Sequence, residues 1–396
     1  MLSALLLLLS AAMWANDGVY YVSGNQLVPV KETDIAVTKE ILTIEIGDDE
    51  YANVDVYYEF TNNGSAKTVT MGFEAMLPYE GGESVLNRQG VHPYIKDFKA
   101  LFNGTQLTYS TGVVAVNGEN GYSDMKPLDM RKWRYEFNFP DNDYAQQWDM
   151  VEGHLVNGHD TIMTVAYAYY FEAKFQPGKN IVKHTYRYRM SSDVMHDFSI
   201  PYMLTPATRW ANHQIDDFTL CIKAPKGIKH FYMPDHIFRS APFRVVSGVG
   251  KTRHCDKNED DNVWTDYTEV SLRHGAVEWK ARNFRPTDEL FIRSAKGLPG
   301  NLLVGAYYSS TPFWCSEDVD SQLFYGRPDC SEEEEQALVK RIRRNLPYAA
   351  RGYVFRDKKL QHFFDNQWWY MPDPNWKMST DDFSKFDWEL INGLEE

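Results

Sequence analysis

Val54, Val56, Tyr58 and Phe60 are apolar, and Asp55, Tyr57 and Glu59 stand between them. Apolar residues at every second position turn one face of an extended strand to a core and the other to water. The period recurs along the chain. Val69, Met71 and Phe73 keep it. Val182, His184, Tyr186, Tyr188 and Met190 keep it between Lys183, Thr185, Arg187 and Arg189, and Phe218, Leu220 and Ile222 form another such face. Asn62-Asn63-Gly64, Asn103-Gly104, Asn117-Gly118 and Asn157-Gly158 are turn signals between runs of this kind. Many short strands with regular turns imply antiparallel sandwiches rather than βαβ units. The expected fold is therefore mainly β. The stretch from Asn16 to about Thr311 is long for one sandwich, so a division near residues 200–215 is expected. It would give a β-sandwich domain at 16–205 and a second β unit of the same region at 206–314.

The side-chain inventory agrees. The chain holds 25 Tyr, 22 Phe and 11 Trp, types that favour the pleated surface of a sheet. Its 55 acids outnumber 41 Lys and Arg, a net charge of -14. No surplus is left to neutralise phosphates, which argues against a nucleic-acid partner. The basic residues are scattered, which argues against a basic membrane-binding face.

Residues 2–14, LSALLLLLSAAMW, are too short an apolar run to span a bilayer comfortably but suit the core of a signal peptide. Ala15 is small enough for the cleavage site, so residues 1–15 are expected to be removed and the mature chain to begin near Asn16. An extracytoplasmic location, periplasmic or secreted, follows, with no membrane span after cleavage. Four cysteines in an exported chain permit disulfides. The simplest pairing is local: Cys221 with Cys255 and Cys315 with Cys330.

The pattern changes after Cys315. Ser331 with Glu334 forms a capping box, and Glu332 to Glu335 sit at the positive end of a helix dipole. Leu338, Ile342 and the basic run Lys340 to Arg344 complete a helix expected to stop before Pro347. Lys358 to Phe364 has the spacing of a second helix. Ser379 opens a third, with Phe383, Phe386 and Leu390 on one face. A small helical domain at 331–394 is expected to close the chain, its core drawn from Tyr348, Tyr353, Phe355, Leu360 and Phe364.

This last stretch holds Tyr348-Ala349-Ala350-Arg351-Gly352-Tyr353-Val354-Phe355, which resembles the signature of the YARHG domain. Arg344-Asn345 before it, Leu360 and Phe364 after it, and Trp369-Tyr370-Met371-Pro372 agree with that family. Two positions depart: Ala350 stands for Arg and Arg351 for His. The resemblance implies a bacterial extracytoplasmic module without an assigned activity. The amino-terminal part is similar to family 4424 of the domain-of-unknown-function series. That similarity lies in Asn16-Asp17-Gly18, Asp34 to Val37, Val54 to Asn62, Leu77-Pro78, Tyr202-Met203-Leu204, Trp210 and Ile215 to Phe218. It implies export and a β fold, and no chemistry.

Motifs that would carry chemistry fail on inspection. Gly248-Val249-Gly250-Lys251-Thr252 imitates the end of a phosphate loop, but the earlier glycine is replaced by Val245. Asp256, Asn258 and Asp260 imitate a calcium loop, but Asp261 and Tyr267 replace its glycine and glutamate. His154 and His159 stand at an odd spacing and do not share a strand face. No catalytic residue, metal ligand or cofactor is expected. The constellation that could bind is Trp368, Trp369, Tyr370 and Trp376, flanked by Asp365, Asn366, Asp373 and Asn375. Flat aromatic faces beside amides and carboxylates are what sugar or peptide recognition uses. A small domain core would use the same residues.

The sequence thus points to a non-enzymatic exported protein of the cell envelope that binds or scaffolds. Its partner would be an envelope glycan or another envelope protein. A hydrolase acting on envelope polysaccharide or peptide is the alternative. It would need two convergent carboxylates, or a His beside a nucleophile, in a cleft.

Overall fold

The computed structural model describes residues 26–29, 34–47, 49–80, 83–117, 122–137, 153–192, 196–224, 229–257, 265–294, 332–383 and 385–393. Its strands in chain order are β1 (Gln26–Pro29), β2 (Ile35–Ile46), β3 (Tyr51–Asn62), β4 (Lys67–Met76), β5 (Tyr79–Glu80), β6 (Glu83–Ser84) and β7 (Ile95–Phe102). There follow β8 (Thr105–Gln106), β9 (Ser110–Asn117), β10 (Tyr122–Pro127), β11 (Arg134–Phe137), β12 (Gly153–Asn157), β13 (Asp160–Ile162) and β14 (Val165–Phe175). The last are β15 (Gly178–Arg189), β16 (Ser199–Tyr202), β17 (Ile215–Ala224), β18 (Lys229–Pro234), β19 (Arg244–Cys255), β20 (Tyr267–Phe284) and β21 (Leu290–Ser294). Helices α1 (Glu332–Ala350), α2 (Lys358–Asp365) and α3 (Lys385–Asn392) complete the described chain.

The period-two runs become the long strands of two sheets. The larger has the order β16-β21-β18-β20-β17-β2-β3-β15-β7-β8, with β19 also paired to β20. The smaller has the order β1-β4-β14-β9-β10. Val54, Val56, Tyr58 and Phe60 point inward from β3, and Val182, His184, Tyr186 and Tyr188 from β15. They meet the inner face of the smaller sheet: Phe73 lies 5.0 Å from Tyr186 and Phe175 lies 5.6 Å from Phe60, ring to ring. Each large apolar side chain so buried stabilises by roughly 1.5–3 kcal/mol relative to exposure. The far half of the larger sheet builds its core around Trp279. Its indole donates to the carbonyls of Phe238 (3.0 Å) and Ala241 (2.8 Å), and its ring meets Phe218, Phe238 and Phe284.

The larger sheet is not purely antiparallel. β2 runs parallel to β17, with Val37 opposite Ile215 and Leu42 opposite Leu220. This pairing carries one sheet across the boundary expected near residue 205, so the two expected β units share a single sheet. The phase of β2 also slips. Its register with β3 shifts between Val37 and Lys39, and the Asn212 amide bonds both the N–H (3.2 Å) and the carbonyl (2.9 Å) of Val37. Beyond the slip Glu40 takes an inward position, opposite Tyr58 and fully buried. Burial pushes its carboxyl up to about 8, and the Tyr58 and Tyr202 hydroxyls beside it offset that only partly. Burial likewise holds His92, His184 and His230 down at about 3.

Two expectations need correction. Cys221 and Cys255 are both free thiols. Cys221 sits opposite Glu278 of β20 and Cys255 opposite Tyr267 of the same strand. Those positions are roughly 35 Å apart along an extended chain, against the ~7 Å a disulfide tolerates. Cys315, Cys330 and the expected signal peptide at 1–15 lie outside the described residues. Helix α1, moreover, does not stop at Pro347 but runs through it to Ala350. Its last turn stays helical because Leu346, Ala349 and Ala350 are buried with Ile342 and Leu390, and because the Arg351 side chain bonds the Pro347 carbonyl (2.8 Å). Helix α2 ends one residue past its expected limit. The third helix begins at Lys385, after a short 3-10 turn over Thr380–Asp382.

Candidate functional site

The carboxy-terminal module is seated on strands β19 and β20 through three cations. The register between these strands passes from Val249 opposite His274 to Gly250 opposite Leu272, which leaves Arg273 as an extra residue on β20. A bulge of this kind breaks the alternation and re-aims a side chain. The Arg273 Nη1 donates to the carbonyls of Arg351 (2.9 Å) and Met371 (3.3 Å), and Nη2 to Oδ2 of Asp373 (3.4 Å). Lys251 on β19 donates from Nζ to the carbonyls of Tyr370 (2.7 Å) and Trp368 (3.3 Å). Burial pulls the Lys251 ammonium below its ordinary value. Two positions along, on the same face of β19, Arg253 lies over the Trp368 ring, 4.5 Å from its centre, while pairing with buried Glu269 (2.5 Å).

The motif residues divide into core, turn and staple. Ala349 and Phe355 are buried, with Phe355 stacked on Phe364 at 4.8 Å. Tyr348 and Tyr353 pack partly buried against that cluster. Gly352 has φ +85°, the left-handed region that favours glycine. Its N–H bonds the Ala349 carbonyl (2.9 Å), and its carbonyl accepts from the Asp373 N–H (2.7 Å). Arg351, at the position of the motif's histidine, ties the turn to α3. Its guanidinium reaches the Asp382 carbonyl (2.9 Å) and the buried Asp387 carboxylate (2.7 Å), and it lies over the Phe383 ring at 4.3 Å.

The four aromatic residues singled out for ligand recognition occupy different places. Trp369 and Tyr370 are buried in the module core, and the Tyr370 hydroxyl donates to the Tyr353 carbonyl (2.7 Å). Trp368 is half-buried under Arg253. Trp376 is half-buried edge-on to Tyr353 at 5.9 Å.

A groove of about 490 Å³ lies on the outer face of the larger sheet. Thr43 and Glu45 reach it from β2, Asn53 and Asp55 from β3, Asp97 and Lys99 from β7, Thr185 and Arg187 from β15, and Lys223 from β17. Asp97 has φ +55° at a point where β7 slips register against β15, so the strand bends at the groove. Its carboxylates are Glu45, Asp55 and Asp97 and its cations Lys99, Arg187 and Lys223; Asn53 donates to Glu45 (3.1 Å), while Asp55 and Arg187 pair with Lys183 (2.8 Å) and Asp49 (2.5 Å) outside the lining. Nothing in the sequence pattern marks this groove, because it gathers the outward residues of five strands.

At His254, no hydroxyl nucleophile among the described residues joins the imidazole. His254 Nδ1 meets Asp235 at 2.5 Å, but the nearby Thr268 hydroxyl donates to the same carboxylate and not to the imidazole. The hydrogen bond to Asp235 raises the His254 pKa. No group of three or more His, Cys, Asp or Glu among the described residues suits a metal ion. The segment Gly248 to Thr252, which imitates a phosphate loop, lies within strand β19, paired to β20. No described helix is long and apolar enough to cross a membrane.

The Tyr348 to Phe355 turn, its Gly352 and the buried Trp369 and Tyr370 lie within a stretch that matches a known family. Residues 324–393 match the YARHG domain. The YARHG domain thus comprises α1 to α3 and the turn seated on Arg273. No curated protein matches the chain. Among solved structures, a candidate nutrient binding protein from Legionella pneumophila is similar at 17% identity, covering 96% of this chain and all of that one, with a TM-score of 0.48. An M1 zinc metallopeptidase from Deinococcus radiodurans is similar at 8% identity and a TM-score of 0.24. That match covers 66% of this chain, which spans 42% of the peptidase. Neither likeness extends to an activity.

Proposed function

We propose that the protein is an exported, non-enzymatic binding protein of the cell envelope, in which the β body offers the ligand surface and the YARHG domain is fixed to that body as a scaffold. The observation that supports this reading is the open polar groove across β2, β3, β7, β15 and β17, with cations and carboxylates set side by side. Such a lining suits a small polar ligand that carries both charges or many hydroxyls, such as an amino acid, a short peptide or a glycan fragment. Trp368, Trp369, Tyr370 and Trp376 serve, in this reading, to hold the domain together and in place. The short apolar run at residues 2–14 and the YARHG domain support export.

The test is thermal denaturation of the full chain with millimolar N-acetylglucosamine, muramyl dipeptide, and a set of amino acids and dipeptides. At least one of them is expected to raise Tm by several degrees, since a ligand that binds only the folded state stabilises it by mass action. The Lys99→Ser and Lys223→Ser double variant is expected to lose that rise while keeping the ligand-free Tm. A panel with no stabilising member, or a rise that survives in the double variant, would remove the groove from consideration. Cleavage after Ala15, read by N-terminal sequencing from the native host, tests export separately.

A further inference from the structure

We propose that the YARHG domain is a receptor for a guanidinium group. Its cup is walled by the carbonyls of Arg351 and Met371 and the carboxylate of Asp373, is kept open by Gly352, and is filled in this chain by Arg273 of the β body.

Four observations converge on that cup. The three acceptors come from two segments of the domain, the turn after α1 and the Met371-Pro372-Asp373 stretch, and both face one planar side chain. The two segments are tied by the hydrogen bond from the Asp373 N–H to the Gly352 carbonyl, so the spacing of the acceptors belongs to the domain and not to its visitor. Residue 352 leaves room: a Cβ there would meet the Arg273 guanidinium and, at 2.6 Å, the Met371 carbonyl oxygen. Finally, the visitor is delivered on purpose. A regular β20 would alternate past this point, and the bulge at Arg273 turns its side chain out of the ladder.

The chemistry selects guanidinium over ammonium. The Arg273 side chain is 11% exposed, and a charge removed from water needs matched partners. Two carbonyls and one carboxylate spread over two nitrogens suit a planar fork with several fixed N–H groups. An ammonium also has three N–H groups, but all on one nitrogen, and cannot place one where Nη2 reaches towards Asp373. Lys251 shows what one nitrogen does in the same seat: like Nη1 of Arg273 its ammonium takes two carbonyls, and it has no second nitrogen to engage a carboxylate as Nη2 engages Asp373. The class of ligand is thus an arginine side chain presented from a strand bulge, here in cis, where tethering gives it a high effective concentration. This inference does not depend on the groove or on export.

The experiment removes the visitor and offers a substitute. In the full chain, Arg273→Ala is expected to raise hydrogen exchange of the segment 351–373 at least tenfold, with little change in strands β2, β3 and β15. Ethylguanidinium at 10–20 mM is expected to restore protection, and ethylammonium at the same concentration is not. Arg273→Lys is expected to resemble Arg273→Ala. Gly352→Ala blocks the cup while the arginine remains, so it is expected to expose the same segment and to be insensitive to ethylguanidinium. The proposal is overturned if exchange is unchanged in Arg273→Ala, if ethylguanidinium restores nothing, or if both cations restore protection equally. If Arg273→Ala does not fold, the Gly352→Ala result decides: protection equal to that of the parent chain refutes the cup.

Discussion

A Cβ on residue 352 would stand where the Arg273 guanidinium stands. The glycine of the motif and the bulge of the β body therefore form one fitted contact, although they lie in different parts of the chain.

That contact has a measurable coupling. Gly352→Ala places a side chain at φ +85°, which costs roughly 1–3 kcal/mol from the backbone alone. The collision with Arg273 adds to this. On an Arg273→Ala background that collision is gone and only the backbone strain and the close Met371 carbonyl remain, so the Gly352→Ala cost is expected to fall. A double-mutant cycle by urea denaturation measures the difference. Strict additivity would show that the two residues do not touch.

Arg351 is expected to matter more than its solvent-accessible position suggests. Its removal leaves the carboxylate of Asp387, which is 3% exposed, without the guanidinium that pairs with it at 2.7 Å. Breaking one side of a buried ion pair costs about 3–5 kcal/mol. Arg351→Ala is thus expected to release α3, seen as fast exchange over 385–392. Adding Asp387→Asn should recover part of the loss. A single variant with parent-like exchange would contradict this role.

Stability is expected to peak near pH 6.5. The unfolded chain protonates His92, His184 and His230 below their ordinary value of 6.5, while the folded chain holds them neutral down to about 3. Their contribution is lost as pH falls through that window. Glu40 acts in the opposite sense. The unfolded carboxyl ionises above 4.5 and the folded one only near 8, so stability is lost as pH rises between those values. Below 6.5 three histidines outweigh one carboxyl. Above it the buried carboxyl acts at about 1.4 kcal/mol per pH unit, and exposed His254, held above its ordinary value by Asp235, acts in the same sense. Glu40→Gln is expected to flatten the limb between pH 6.5 and 8, as read from urea midpoints. A limb of undiminished slope in the variant would place the titration elsewhere.

The thiols of Cys221 and Cys255 are expected to alkylate as separate groups after unfolding without reductant. Non-reducing peptide maps of the oxidised protein should contain no Cys221–Cys255 peptide. Such a peptide would mean that β19 and β17 do not hold the registers with β20 described above.

The strands were legible because period-two burial needs only the sequence of one element. Val54 to Phe60 and Val182 to Tyr188 point inward as their pattern requires. Asn103 and Gly104, at φ +49° and +83°, make the tight turn that their dipeptide predicts. What was hidden are the one-residue slips at Thr38, Asp97 and Arg273, each set by a partner strand rather than by its own neighbours. A slip of phase reverses the face of every residue beyond it, which is why Glu40 looks like a surface acid in the sequence and lies in the core. Pro347 misled in another way. A missing N–H is a local cost, and the core that buries Leu346, Ala349 and Ala350 draws on segments the helix does not contain, Leu390 among them. Gly352 and the aromatic residues were legible by type. Arg273 and the groove were not, because their neighbours are remote in sequence.

The parallel pairing of β2 with β17 has a consequence for how the molecule forms. β2 finds β3 within a short turn, but its other edge waits for a partner near Asn212, 175 residues after Val37. Closing so long a loop is entropically costly before any contact compensates it, and such topologies fold slowly. Until β17 arrives, the chain carries an open edge of Ile, Val and Leu, which invites pairing with another molecule. A nascent chain ending near residue 205 is therefore the aggregation-prone intermediate, and one ending beyond residue 284 is the first to possess both neighbours of β17.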